Sequence, residues 1–141
     1  MPSTDLYTLF QMFIKLVISA LCGGILGLSQ RSLSERVGFY TLMVITLGST
    51  LFTVVSFGIA SRSIVLLEQL AESTLIIAIG VLGAGAFINR RGQTGALQLG
   101  SGIWLAGAVG MAVGAGYYFP GILITLVGYL LLDRIFIDKE G

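Results

Sequence analysis

"VGFYTLMVITLGSTLFTVVSFG", residues 37–58, runs for 22 residues without a charged side chain. About 20 consecutive apolar residues, rising 1.5 Å each in a helix, match the ~30 Å hydrocarbon core of a bilayer. The stretch just before it, "GLSQRSLSER" (27–36), carries Arg31, Glu35 and Arg36, three of the chain's fifteen charges. An uncharged run of membrane length following a short polar turn sets the pattern for the whole chain.

Working outward, four more apolar runs follow the same rule. The expected helices are Leu6 to Leu28, Val37 to Gly58, Leu70 to Ile88, Ala96 to Ala115 and Tyr117 to Leu132. Between the second and third, "IASRSIVLLEQLAES" (59–73) alternates apolar and polar residues at helical spacing and reads as an interfacial helix. The uncharged turn "GAGYYFPG" (114–121) implies a tight antiparallel hairpin, with Tyr117, Tyr118 and Phe119 as an aromatic belt. Pro120 stands near a helix start, where its missing N–H costs nothing. The chain is 55% apolar and 11% charged, against roughly 25% charged in soluble proteins. Its mean hydropathy is +0.96. The reading is an all-α integral membrane protein of about five transmembrane helices, one domain over residues 1–141 with no C-terminal soluble domain.

Orientation follows from the basic residues. Arg31, Arg36, Arg90, Arg91, Arg134 and Lys139 fall on one side of a five-span chain, and on the other only Arg62, plus Lys15 if its side chain snorkels outward. The positive-inside rule puts the N-terminus outside and the C-terminus in the cytoplasm.

The same inventory excludes several chemistries. There is no histidine, and Cys22 is the single cysteine, so neither an internal disulfide nor a Cys/His zinc site can form. No nucleophile–base pair is visible and the usual proton carrier is missing, so an enzyme is not expected. A net charge of +1 offers nothing to nucleic acid, and no cofactor or metal site is expected. The N-terminus lacks the basic region of a cleavable signal, so the first run is expected to remain as a helix.

Glycines stand out instead. Gly23 and Gly27, and Gly110 and Gly114, are small-xxx-small pairs, and Gly83 lies among the glycines of the third run. Small residues let helix backbones approach closely where lipid supplies little hydrophobic drive, so these five mark packing faces. Leu105 is expected on a different face of its helix. Lys15, about nine residues into the first run, either snorkels outward or marks a later start to the span. Glu68 and Glu72 share a helix face at i, i+4 and read as solvated.

Several segments resemble the MgtC/SapB family: "GGILGLSQR" (23–31), "LGSTLFTVVS" (47–56), "GVLGAGAFINRRG" (80–92) and "GIWLAGAVGMAVGAGYY" (102–118). The resemblance spans roughly residues 14–132. It implies a multi-pass protein of the bacterial inner membrane, of about five helices with a cytoplasmic C-terminus. Such proteins are associated with adaptation to low magnesium and with regulation of other membrane machines, and they are not known as enzymes. The family's first loop usually carries Glu-Arg, then Gly-Leu-Arg-Thr and a His or Asn. This chain has Gln30-Arg31, Gly38-Phe39-Tyr40-Thr41 and Leu42 there.

The expected function is therefore a regulatory or assembly subunit that binds another membrane protein in magnesium homeostasis or stress adaptation. The alternative is a small oligomeric transporter or channel for an ion. Gln30, Arg31, Arg36, Arg90 and Arg91 are the candidate contacts to a partner or to anionic lipid. The expected partners are the lipid bilayer, other membrane subunits and further copies of the chain.

Overall fold

A computed structural model describes residues 5–29, 35–60, 65–89 and 94–137. They form five helices, α1 (Leu6–Leu28), α2 (Glu35–Ala60), α3 (Val65–Asn89), α4 (Thr94–Gly114) and α5 (Tyr118–Ile137), and no strand occurs among them. α1 and the 39–58 segment of α2 are long and apolar enough to cross a membrane, and shorter apolar stretches occupy 76–85 and 100–114.

Two helices run beyond the apolar stretches that mark them out. No glycine or proline occurs between residues 65 and 79, so nothing interrupts the helical turn there. α3 accordingly begins at Val65, five residues before the expected Leu70, and absorbs most of the segment read as a separate interfacial helix. α5 likewise continues through Asp133 and Arg134 to Ile137 rather than stopping at Leu132, with no glycine or proline between Gly128 and Ile137 to interrupt it.

α4 is the centre of the bundle. It packs against each of the other four helices, while α5, α1, α2 and α3 touch one another in that order around it. Among the described residues α3 and α5 do not meet, so the ring is open on that side of α4. Its core is small and branched: Cys22, Leu26, Leu42, Ile79, Ile103, Ala106, Val109 and Val113.

The distribution of polarity is the reverse of a water-soluble bundle. Ser19, Ser29, Thr46, Ser49, Thr50, Thr53 and Thr125 are buried, while Leu6, Phe13, Val44, Val81, Phe119, Leu126 and Leu130 stand exposed. In water such an apolar exterior would be an aggregation surface.

The α4–α5 hairpin closes on three residues. The Gly116 N–H donates to the Val113 carbonyl at 3.0 Å, and the Tyr117 N–H to the Ala112 carbonyl at 2.8 Å. This is a Schellman motif, and it needs a left-handed residue, which Gly116 supplies at φ +92°.

Two glycines with open space at the Cβ position should respond in opposite directions. Gly116→Ala gains no contact but must hold a left-handed conformation, costing about 1–2 kcal/mol. Gly48→Ala, exposed in the middle of α2, should instead stabilise by about 0.5–1 kcal/mol. Thermal unfolding of both variants in the same detergent checks the pair of signs.

Candidate functional site

One face of α2 organises the interior. Leu42, Thr46, Ser49, Thr50 and Thr53 recur at helical spacing, all buried. Glycines of α1 and α4 meet this face from two sides.

On the α1 side, a Cβ placed on Gly23 would lie 2.6 Å from Thr46 Oγ1 and 2.8 Å from Met43 Cα. One on Gly27 would lie 2.6 Å from Phe39 Cα. On the α4 side, a Cβ on Gly110 would lie 2.5 Å from the Thr46 carbonyl oxygen and 2.7 Å from Ser49 Cβ. One on Gly114 would meet Thr53 Cβ at 2.7 Å. Real Cβ atoms do not approach other heavy atoms so closely, and here several of the opposing atoms are backbone. Thr46 is thus held between Gly23 and Gly110.

The threonine hydroxyls on this face are engaged. Thr46 Oγ1 donates to the Leu42 carbonyl at 2.7 Å and Thr53 Oγ1 to the Ser49 carbonyl at 2.8 Å. Thr50 Oγ1 lies 2.9 Å from both the Thr46 and Gly110 carbonyls, so its proton is shared between its own helix and α4. That contact depends on Gly110, because any side chain there would push the two backbones apart.

The outer contacts of α4 follow the same principle with side chains. A Cβ on Gly83 of α3 would be 3.0 Å from Trp104 Cδ1, and one on Gly107 would collide with Ile79. α5 contributes a row that was not singled out from the sequence. Gly121 faces Val113, Thr125 is buried and donates to the Gly121 carbonyl at 2.8 Å, and Gly128 lies against Leu105 and Leu26. The spacing Gly121-Thr125-Gly128 places all three on one helix face and was the available signal. Leu105 does lie away from the Gly110 seam, yet it packs on Gly128 and is not an idle position.

Lys15 has a defined partner. Its Nζ donates to the Gly114 carbonyl at 2.8 Å, at the last residue of α4 and toward the end of the bundle from which α1 starts.

The candidate contact residues in the connections are another matter. Gln30, Arg31, Arg90 and Arg91 lie outside the described residues, as does the side chain of Arg36 in the first turn of α2. The helices flanking them are described. α2 and α4 run parallel, since Thr46 and Thr53 meet Gly110 and Gly114 in the same order, while α1 and α3 run antiparallel to them. The ends of α1 and α3 and the starts of α2 and α4 therefore lie at one end of the bundle. The end of α2, the start of α3 and the Gly116 turn lie at the other. Nothing is described of the side chains of Glu68 and Glu72.

A family model for the MgtC family matches residues 16–135, most of the chain and all of the seam. The chain belongs to the MgtC family. Its relatives include the protein named "Putative magnesium transporter YhiD" of Escherichia coli strain K12. The two are 27% identical over 130 residues, covering 87% of this chain and 60% of the relative. Protein SapB of Bacillus subtilis strain 168 is 28% identical over 133 residues, covering 88% of this chain and 57% of SapB. The chain thus spans somewhat under two thirds of the length of these relatives. No solved structure matches. MgtC family proteins are membrane proteins, in keeping with the apolar exterior described above.

The seam makes a direct demand on sequence. Gly110→Ala should cost about 1–3 kcal/mol through overpacking against the Thr46 backbone. Leu126→Ile, on the exposed face of α5, should be nearly neutral. Thr50→Val, which keeps shape but removes the interhelical hydroxyl, should cost about 0.6 kcal/mol. Denaturation in mixed micelles ranks the three variants.

Proposed function

We propose that this MgtC family member is a multi-pass protein of the bacterial inner membrane, with its N-terminus outside and its C-terminus in the cytoplasm. It acts without catalysis, by binding another membrane protein in magnesium homeostasis. The observation that carries the reading is the tight seam between α2 and α4. Along α2 and α4 the hydroxyls of Thr46, Thr50 and Thr53 are spent on backbone carbonyls, and glycine brings the backbones into contact. Ion pathways use polar groups that face water or the ion; these face the protein's own backbone. Such an interior suits a rigid body that presents its surfaces to partners.

Five helices with apolar outer faces support insertion. The arginine-bearing connections leave from one end, which supports a single basic, cytoplasmic contact region reading anionic lipid or an acidic partner surface. The magnesium link rests on family membership and on the name given to YhiD. That name also favours a second reading, in which the chain helps to move magnesium itself.

Flux separates the two. Purified protein reconstituted in vesicles loaded with a magnesium-sensitive dye should admit no more ion than protein-free vesicles. Saturable influx would favour the transporter reading and overturn ours. Topology has its own check: a cysteine at Ser34 or Gln93 should react with a membrane-impermeant reagent only from the cytoplasmic side, and one at Ser61 only from outside. Exchange of Arg31, Arg36, Arg90 and Arg91 for glutamine should weaken binding to anionic vesicles or scramble that orientation. A quadruple variant unchanged in both would remove the basic region from the account.

A further inference from the structure

The carbonyl end of α4 carries a group that the function proposed above does not use. A helix C-terminus leaves its last carbonyls without intrahelical donors and bears about half a negative charge. At the end of α4, backbone N–H groups take three of them. Ala115 donates to Met111, Gly116 to Val113 and Tyr117 to Ala112. The next carbonyl, that of Gly114, receives the ammonium of Lys15 at 2.8 Å from ninety-nine residues earlier in the chain.

Three features make this more than a surface contact. Lys15 is the sole charged residue of α1, and its bond is part-buried. Among the described residues no carboxylate pairs with it, so a helix end, and not a counter-ion, balances the charge. Gly114 also has no side chain, and its Cβ position is filled by Thr53 of α2, which fixes the carbonyl in place. The oxygen, the negative helix end and the fixed backbone together form a receptor for a cation bearing N–H donors.

We infer that the carbonyl end of α4 is a cation site specific for primary ammonium, and that Lys15 is its resident, tethered occupant. Lys15 acts as a positioning residue. By filling the site it ties the first third of α1, with its exposed Leu6, Tyr7, Phe10 and Phe13, to the α4–α5 hairpin and holds it in register with the bundle. The inference rests on the fold alone and stands or falls separately from partner binding or flux.

The test is chemical rescue. Lys15→Ala should lower the Tm by about 5 °C and raise amide exchange in residues 6–20 by about tenfold, leaving α3 unchanged. Millimolar propylammonium should restore both, because it replaces the missing arm and ammonium. Tetramethylammonium, of equal charge without an N–H, should restore neither. Lys15→Met fills the space of the lysine stem, so it should show the same loss and resist rescue. The inference is overturned if Lys15→Met matches the wild type in Tm and exchange. It is overturned equally if tetramethylammonium rescues as well as propylammonium, or if propylammonium leaves Lys15→Ala unimproved.

Discussion

Everything in this bundle depends on how near α2 can come to α4. Helices that present leucine to one another pack with their axes about 8–10 Å apart. At Gly110 a single added carbon would sit 2.5 Å from the Thr46 carbonyl oxygen, so the two backbones are already in contact. Because α4 touches every other helix, that approach sets where α1, α3 and α5 can stand. Gly23 and Gly27 then draw α1 onto α2 beside α4, and Thr46 is clasped between two glycine-bearing helices. In lipid, where apolar side chains gain little by leaving one apolar phase for another, such close contact is the main source of cohesion.

Close backbones also solve the polar problem. Seven hydroxyl-bearing residues are buried here, and an unpaired hydroxyl in an apolar medium costs several kcal/mol at the extreme. Threonines on α2 and α5 return their protons to carbonyls four residues back, so their hydroxyls need no water. Thr50 goes further and reaches the Gly110 carbonyl, joining two helices through one shared proton. Lys15 does for charge what Thr50 does for neutral groups, and finds its acceptor at the end of α4. The buried threonines and Lys15 are thereby satisfied by backbone carbonyls inside the bundle, and the outer surface and the helix ends remain for interaction.

Length and hydropathy made the five helices legible in the sequence. α1 runs over the same residues, Leu6–Leu28, that its apolar run marks out. The start of α3 was harder, because the alternation of apolar and polar residues over 59–73 set that segment apart as interfacial, whereas α3 begins within it at Val65. Small-xxx-small spacing pointed to Gly23, Gly27, Gly110 and Gly114, each of which faces a neighbouring helix in the structure. Gly121 and Gly128 escaped notice because they are seven residues apart, with the intermediate position of the row filled by Thr125. Spacing within one helix could not say which helix each glycine would meet. Nor could it show that Lys15 would bond to Gly114, a partner ninety-nine residues away that only the antiparallel placement of α1 and α4 brings into range.

The central claim, backbone contact between α2 and α4, is a distance and can be measured as one in lipid. With carbonyl-labelled threonine and α-carbon-labelled glycine, solid-state carbon–carbon recoupling reports the separation of the Thr46 carbonyl carbon from Gly110 Cα. The Thr46 carbonyl carbon lies 3.2 Å from the Cβ position of Gly110. Adding one carbon–carbon bond of about 1.5 Å bounds the separation at about 4.7 Å. The account predicts a strong cross peak at short mixing time, assigned by its loss in Gly110→Ala. Absence of that peak in the wild-type protein, with α2 and α4 set as far apart as leucine-packed helices, would contradict it.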